Sequence, residues 1–280
     1  MSIYAAALSM ESRKLQLVGG RSYALSLPKD WVVRNKLEKQ SAVFIERSRN
    51  DELIIRPRPG EQRSSSLDVS LHDIQDVGGF LIFCYVKNVE EVILRGNDFD
   101  KRATIAHVLG YLEGYDIIEE DSTSVRVKFL FGAEDISITL QSTLSRLTYL
   151  LGQMVHAVRK QDEAALRELE LSVDRLYHLG NRVVFSCGRN AQQRQRNGIR
   201  FIEDLFFYTI MLKKLENIGD NIDVLGNRKH SDEVYTVLES FIDVARRAVS
   251  NPGMAPALRA ELEGIDVPSD AMSALLDVRS

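Results

Sequence analysis

From Leu140 to Ala245 apolar residues recur every three or four positions, a period that strands cannot bury and helices can. Leu140, Leu144, Leu147, Leu151 and Met154 mark one apolar stripe, and Asp162 stands where it would cap a second helix carrying Leu166, Leu169, Val173, Leu176 and Val183. A third helix carries Phe201, Leu205, Tyr208, Leu212, Leu215, Ile222 and Leu225 and ends near Gly226; Ser231 opens a fourth with Val234, Val237, Leu238, Phe241 and Val244. Short connections between such helices predict an antiparallel bundle over residues 137–250. Gly188 to Gly198 (GRNAQQRQRNG) reads as a polar, basic loop with Arg189, Arg194 and Arg196 solvated. Residues 251–280, after Asn251-Pro252-Gly253, read as a short helix and a loose tail.

Two carboxylate pairs interrupt the polar faces. Glu170 and Asp174 are four residues apart on the second helix, as are Glu216 and Asp220 on the third, where Asp223 adds a further turn. Like charges at this spacing repel by about 0.2–0.5 kcal/mol. With the apolar stripes assigned to the a and d positions of a heptad, Glu170 and Glu216 both fall at e, and Asp174 and Asp220 both at b. In an antiparallel pair e lies beside e, so the two pairs can converge on one patch. Clustered hard oxygen donors suit a divalent or trivalent cation; the alternative is two ordinary solvated faces. His178, one turn beyond Asp174, could join a metal shell, but with no partner to orient it reads rather as a surface histidine.

The first part of the chain has a different period. In RKLQLVGGRSYALSL, Leu15 and Leu17, then Tyr23, Leu25 and Leu27, alternate, which predicts two short half-buried strands around Gly19-Gly20. Pro28 ends the second strand and starts a short helix through Val33. Ala42 to Glu46 and Leu53 to Arg56 read as two more strands, joined by a turn through Ser48 to Glu52. So short a β segment buries too little surface to stand alone, and dimerisation is the expected remedy. Pro57 to Ser66 (PRPGEQRSSS) has a linker's composition, which sets domain boundaries at 1–58, 59–66 for the linker, and 67–136 for the segment before the bundle.

Charge divides along the same line. Residues 1–66 hold 12 Lys/Arg against 7 Asp/Glu, whereas the whole chain is at −4. A basic head on an acidic body directs any anionic partner to the head. The middle segment reads βαβαββ: strands at 66–71, 89–94, 117–118 and 125–131, helices from Asp73 to Lys87 and from Asp98 to about Glu113, with Gly78-Gly79 weakening the first helix. That order predicts a small α+β sandwich. It has no phosphate-binding glycine loop or nucleophile motif, and His72 and His107 stand isolated. Cys84 and Cys187, the only cysteines, make neither a disulfide framework nor a zinc site, and a reducing cytoplasm fits them. Tyr4 to Leu8 is apolar but lacks the basic flank of a signal peptide. The apolar run Phe80 to Val86 is far short of the roughly 20 residues that span a bilayer, so no membrane insertion is expected.

Two resemblances sharpen these expectations. RKLQL-GG-RSYALSLPKDWV, AVFIE and ELIIRP, in that order over residues 12–58, resemble the AbrB/SpoVT swapped-hairpin family. The resemblance implies an intertwined dimer that binds duplex DNA, with Arg13, Lys14 and Arg21 as leading contacts and Lys29 and Arg34 behind them; the same fold can also serve only as a dimerisation device. ELSVDRLYHLGNR followed by LKKLENIGDNIDVL resembles the PhoU family, whose bundles carry Glu/Asp-x-x-x-Asp motifs. It covers about residues 138–250, and Asn217 stands where the family usually has a basic residue. An AbrB-like head before such a bundle is similar to archaeal phosphate-uptake-regulator fusions. What this resemblance implies is a metal cluster site of Fe, Zn, Mn or Mg lined by Glu170, Asp174, Glu216 and Asp220, with Asp223 as an addition.

The resulting expectation is a multi-domain α+β protein with a swapped-hairpin dimeric head, an α+β sandwich and a PhoU-like bundle. Its function would be cytoplasmic regulation of phosphate or metal homeostasis through DNA bound by a homodimer or higher oligomer. The alternative is an interaction protein that regulates a phosphate transporter or a kinase, its head serving dimerisation alone. An enzyme is not expected, because no histidine or nucleophile accompanies the carboxylates.

Overall fold

A computed structural model describes residues 12–47, 53–57, 66–131, 138–226 and 230–250. The turn at Ser48 to Glu52, most of the linker, the apolar Tyr4 to Leu8 and the C-terminal segment 251–280 lie outside the described residues. The fold is mixed α+β, and the chain divides into two compact units, a head and a body.

In the head, β1 (Gln16–Val18) and β2 (Ser22–Ala24) form an antiparallel hairpin with Leu17 opposite Tyr23. Gly19 and Gly20 take φ of 61° and 70° in its loop, the left-handed region where a side chain is strained. Helix α1 (Lys29–Arg34) follows Pro28, whose φ of −57° suits a helix start. Strands β3 (Phe44–Arg47) and β4 (Leu53–Arg56) form a second two-stranded sheet. The half-burial expected of the hairpin is not met within one chain. Leu17 is 60% exposed and Tyr23 72%, and no described residue of the head is buried. The alternation is real, but among the described residues nothing covers its apolar face.

The body begins with a four-stranded sheet in the order β5-β6-β8-β7. Strand β5 (Ser66–Ser70) runs parallel to β6 (Glu91–Arg95), while β7 (Tyr115–Glu120) and β8 (Ser124–Phe129) complete it antiparallel. Helix α2 (Val77–Val86) crosses over between β5 and β6, and α3 (Phe99–Leu109) links β6 to β7. Val92, Leu94, Val125, Val127 and Phe129 point into one core with Leu81, Tyr85 and Ile105. Alternate residues of the same strands carry ion pairs, Asp68 with Arg95 and Arg126 with Glu91 and Glu119. One face of the sheet is therefore dry and the other charged, as antiparallel alternation allows. The first helix starts later than Asp73, because residues 71–73 form a 3-10 turn and Asp76 is the cap. Gly79 belongs to that cap: its amide donates to Asp76 Oδ1 at 2.9 Å, and an added Cβ would lie 2.3 Å from Asp76 Oδ2.

The bundle comprises α4 (Leu140–Lys160), α5 (Glu163–Arg189), α7 (Leu205–Gly226) and α8 (Asp232–Ser250). The cap at Asp162 forms as expected, its carboxylate accepting from the amide of Ala165 at 3.0 Å. Helices α5 and α7 are antiparallel and close. Leu212 packs on Gly180, Val173 on Gly219 and Leu166 on Gly226, each step along α5 matched by a step back along α7. A Cβ at Gly180 would sit 2.6 Å from Leu212, so small residues set the separation of this pair. The segment read as a polar loop contains the short helix α6 (Ala191–Arg196). Its Arg194 is buried and donates to the carbonyl of Cys187 at 2.5 Å, and Arg189 donates to the carbonyl of Lys87 at 3.2 Å. Solvation was the wrong expectation for Arg194, since its carbonyl acceptor comes from a helix end that the local sequence does not reveal, whereas Arg189 stays exposed as expected.

Helix α5 also carries the sandwich. Arg182 donates to the carbonyl of Tyr85, Arg175 to that of Gly110, and Asn88 Nδ2 donates to the carbonyl of Arg182 at 3.0 Å. Sandwich and bundle thus belong to one compact unit.

Candidate functional site

The five basic candidates of the head sit on its surface. Arg13 and Lys14 precede β1, and Arg21 closes the hairpin loop one residue before β2. All three are exposed. The register that pairs Val18 with Ser22 places Arg21 in the three-residue turn, at the tip of the hairpin. Lys29 and Arg34 occupy the two ends of α1. Arg34 is tied to Asp30 by an ion pair of 2.5 Å, one turn back on the same helix, so its charge is locally balanced. Arg34 must therefore give up a carboxylate before it can meet a phosphate.

On the bundle, the antiparallel register of α5 and α7 sets Glu170 and Asp174 beside Glu216, Asp220 and Asp223. The interactions are mutual. Burial raises the pKa of Glu170, and the charges of Asp223 and Asp220 raise it further. Asp174 is pushed up to about 6 by burial first, then by Glu170, Asp220 and Glu216. Asp220 is raised by burial and by Glu216. Glu170, Asp174 and Asp220 therefore hold their charges at a cost set by partial desolvation and by their neighbours.

One member of this patch escaped the sequence reading. Lys213 Nζ stands 2.8 Å from Oε1 and 2.6 Å from Oε2 of Glu216. That hydrogen bond raises the ammonium pKa, and the lysine charge in turn favours the ionised forms of Asp174 and Asp220. The signal was present as an i,i+3 spacing on the third helix, which by itself marks only a surface pair. His178 is half-buried rather than a surface group. Burial, aided by Lys213, lowers its pKa to about 4, so the ring is neutral at physiological pH.

The donor set is all carboxylate oxygen, which matches a hard cation in type. Geometry is less ready: among the described residues no three His, Cys, Asp or Glu side chains are arranged to hold a metal ion. Lys213 acts as the built-in counter-ion in this arrangement, and a metal would need the carboxylates to turn toward it. Cys84 and Cys187 offer no alternative ligands, because burial pushes their thiols up to about 12 and about 11. Among the described residues no helix is long and apolar enough to cross a membrane.

Comparison with known proteins reaches only the head. No curated protein and no solved structure matches the chain. Residues 16–63 match the family model described as antidote-toxin recognition MazE, bacterial antitoxin, which supports the AbrB-like swapped-hairpin reading of the head and does not extend to the bundle.

Proposed function

We propose that this protein is a dimeric, DNA-binding regulator whose body reports a ligand or a partner to the head. The observation that carries the reading is the head itself: a hairpin with Arg21 at its tip and an apolar face, Leu17 and Tyr23, that the described residues leave exposed. A second copy would cover that face and set two basic tips side by side, the arrangement that neutralises phosphates along a duplex. The MazE match over residues 16–63 supports a regulatory head of this class. The finer reading, regulation of phosphate or metal homeostasis by a PhoU-like bundle, rests on the residues of α5 and α7. In it the carboxylate patch takes up a divalent or trivalent cation, Fe, Zn, Mn or Mg, through Glu170, Asp174, Glu216 and Asp220, with Asp223 as an addition. The reading assigns the patch a binding role and no catalytic one.

The family match also favours a second reading, in which the head recognises a protein. The matched family is described by toxin recognition, and a swapped-hairpin head can serve as a docking module for a toxin, a transporter or a kinase. Binding of the full chain to random-sequence duplex DNA over a series of salt concentrations separates the two. A DNA-binding head gives an affinity that falls steeply with salt, at a slope of about −0.9 per phosphate neutralised. Replacing Arg13, Lys14 and Arg21 together with Gln should abolish binding while the protein stays folded. Binding that is absent, or unaltered by the triple substitution, rejects the assignment.

A further inference from the structure

Where the sandwich meets the bundle, a cleft of about 250 Å³ opens between the turn after α3 and the facing sides of α4 and α5. Gly110, Glu113 and Tyr115 line it from the sandwich, and Arg146, Ser172 and Arg175 from the bundle. We infer that this cleft binds a small anionic ligand, a molecule carrying a phosphate or carboxylate group, between Arg146 of α4 and Arg175 of α5.

Two guanidinium groups share one small concavity. Arg175 has a local role: its Nε donates to the carbonyl of Gly110 at 2.5 Å and so satisfies the end of α3. That bond uses one nitrogen, and the two terminal nitrogens have no partner among the described residues. Arg146 has no hydrogen bond or ion pair among the described residues at all. Among the described residues the one carboxylate lining the cleft is that of Glu113, which is exposed and pairs with neither arginine. Both arginines line the same cleft, and a concave wall concentrates the field of its cations on whatever anion enters. The planar fork of arginine matches the paired oxygens of phosphate and carboxylate groups. The hydroxyl of Ser172 adds a polar group, although it already donates to the carbonyl of Glu168.

Size and place narrow the class. The volume lies below the roughly 300–1,000 Å³ of sites that take drug-sized ligands, so a free oxyanion or a small acid fits better than a nucleotide. The walls come from two substructures that meet on α5, the kind of junction where ligand sites concentrate. An anion there would join Arg146 of the bundle to the turn of the sandwich and stiffen the contact. This inference stands apart from the DNA reading, because it uses no residue of the head and no residue of the carboxylate patch.

Calorimetric titration of the full chain with inorganic phosphate, and separately with succinate, tests it and separates the two anion chemistries. At least one of them should bind, and Arg146→Gln should weaken that binding by tenfold or more. Because Arg146 is exposed and unpartnered, that variant should melt with the wild type, so loss of binding cannot be put down to unfolding. Arg175→Lys, which keeps the charge but not the fork, should weaken binding as well. The triple Gln variant of Arg13, Lys14 and Arg21 should bind the anion unchanged. Absence of binding by both anions, binding indifferent to Arg146→Gln, or binding lost only in the triple head variant overturns the proposal.

Discussion

Arg182 of α5 reaches into the sandwich and donates to the main-chain carbonyl of Tyr85 at 2.5 Å, with its guanidinium carbon 3.7 Å from the centroid of the Phe129 ring. The side chain is 3% exposed, Tyr85 and Tyr115 also flank it, and its Nε is buried with no hydrogen-bond partner among the described residues. Burial lowers its pKa, and the charge is held by ring faces and a carbonyl rather than by a carboxylate. Returning the contact, Asn88, at a left-handed φ of 59°, donates to the carbonyl of Arg182. Arg182→Ala should destabilise the body by about 3 kcal/mol, through a cavity among three rings and an abandoned carbonyl. Arg182→Met, which keeps most of the volume and removes the buried charge, should lose less than half as much. Urea unfolding at neutral pH measures both, and equal losses would show that the charge, not the packing, holds this joint.

The carboxylate patch makes stability depend on pH in an unusual direction. Asp174 has a folded pKa of about 6 against an ordinary 3.8, so between those values the folded state binds more protons than the unfolded one. Its contribution to stability is therefore most favourable below about pH 4, declines as pH rises to about 6, and is flat above. Asp174→Asn removes the penalty. The variant should be more stable than the wild type at pH 7.5, by about 1 kcal/mol once solvent screening of a half-exposed group is allowed for. At pH 5 the advantage should shrink. Paired denaturation curves at the two pH values check it, and an advantage that grows on acidification would contradict the mutual repulsion described for this patch.

What the sequence made legible here was whatever depends on local period. Asp98 and Asp162 are caps, the apolar stripes are helices, and the heptad register that set Glu170 beside the third helix follows from the spacing of leucines alone. What stayed hidden depends on partners remote in sequence. Arg182 lies in an amphipathic helix where an arginine ordinarily faces water, and only the carbonyl of Tyr85, 97 residues away, gives it a reason to be buried. Arg194 is similar: a Gln- and Arg-rich stretch reads as a loop until a helix end needs its guanidinium. In the head the period-two pattern was visible, but its burial needs an apolar surface that the described residues do not supply.

Lys213 offers a direct handle on cation uptake. It neutralises Glu216 and eases the charge on Asp174 and Asp220, so an entering metal competes with it. Lys213→Met should lower the melting temperature of the metal-free protein at pH 7.5, and added Mn²⁺, Zn²⁺, Mg²⁺ or Fe³⁺ should restore it more strongly than in the wild type. In the double variant Glu170→Gln/Asp174→Asn the metal response should vanish. A response that survives the double substitution would place any cation elsewhere, and no response in either the wild type or Lys213→Met would remove the metal from the proposed function.

The head gives the most direct test of assembly. Leu17 and Tyr23 face each other across β1 and β2, and Ile45 and Leu53 are 64% and 66% exposed on the second strand pair. An apolar face of this extent on so small a unit is unfavourable in water and is the mark of an interface. A second copy of the chain is the expected cover, because the swapped-hairpin architecture supplies the same strands from each partner and makes the contact self-complementary. Leu17→Asp/Tyr23→Asp places charge at the centre of that face. Sedimentation should then shift from a dimer to a 31.7 kDa monomer. Salt-sensitive DNA binding should be lost with it, because each monomer presents only one basic tip. The body should be unaffected, its core being independent of the head, so the urea transition that reports Arg182 should keep its midpoint. A double variant that remains dimeric would locate the dimer contact on another surface.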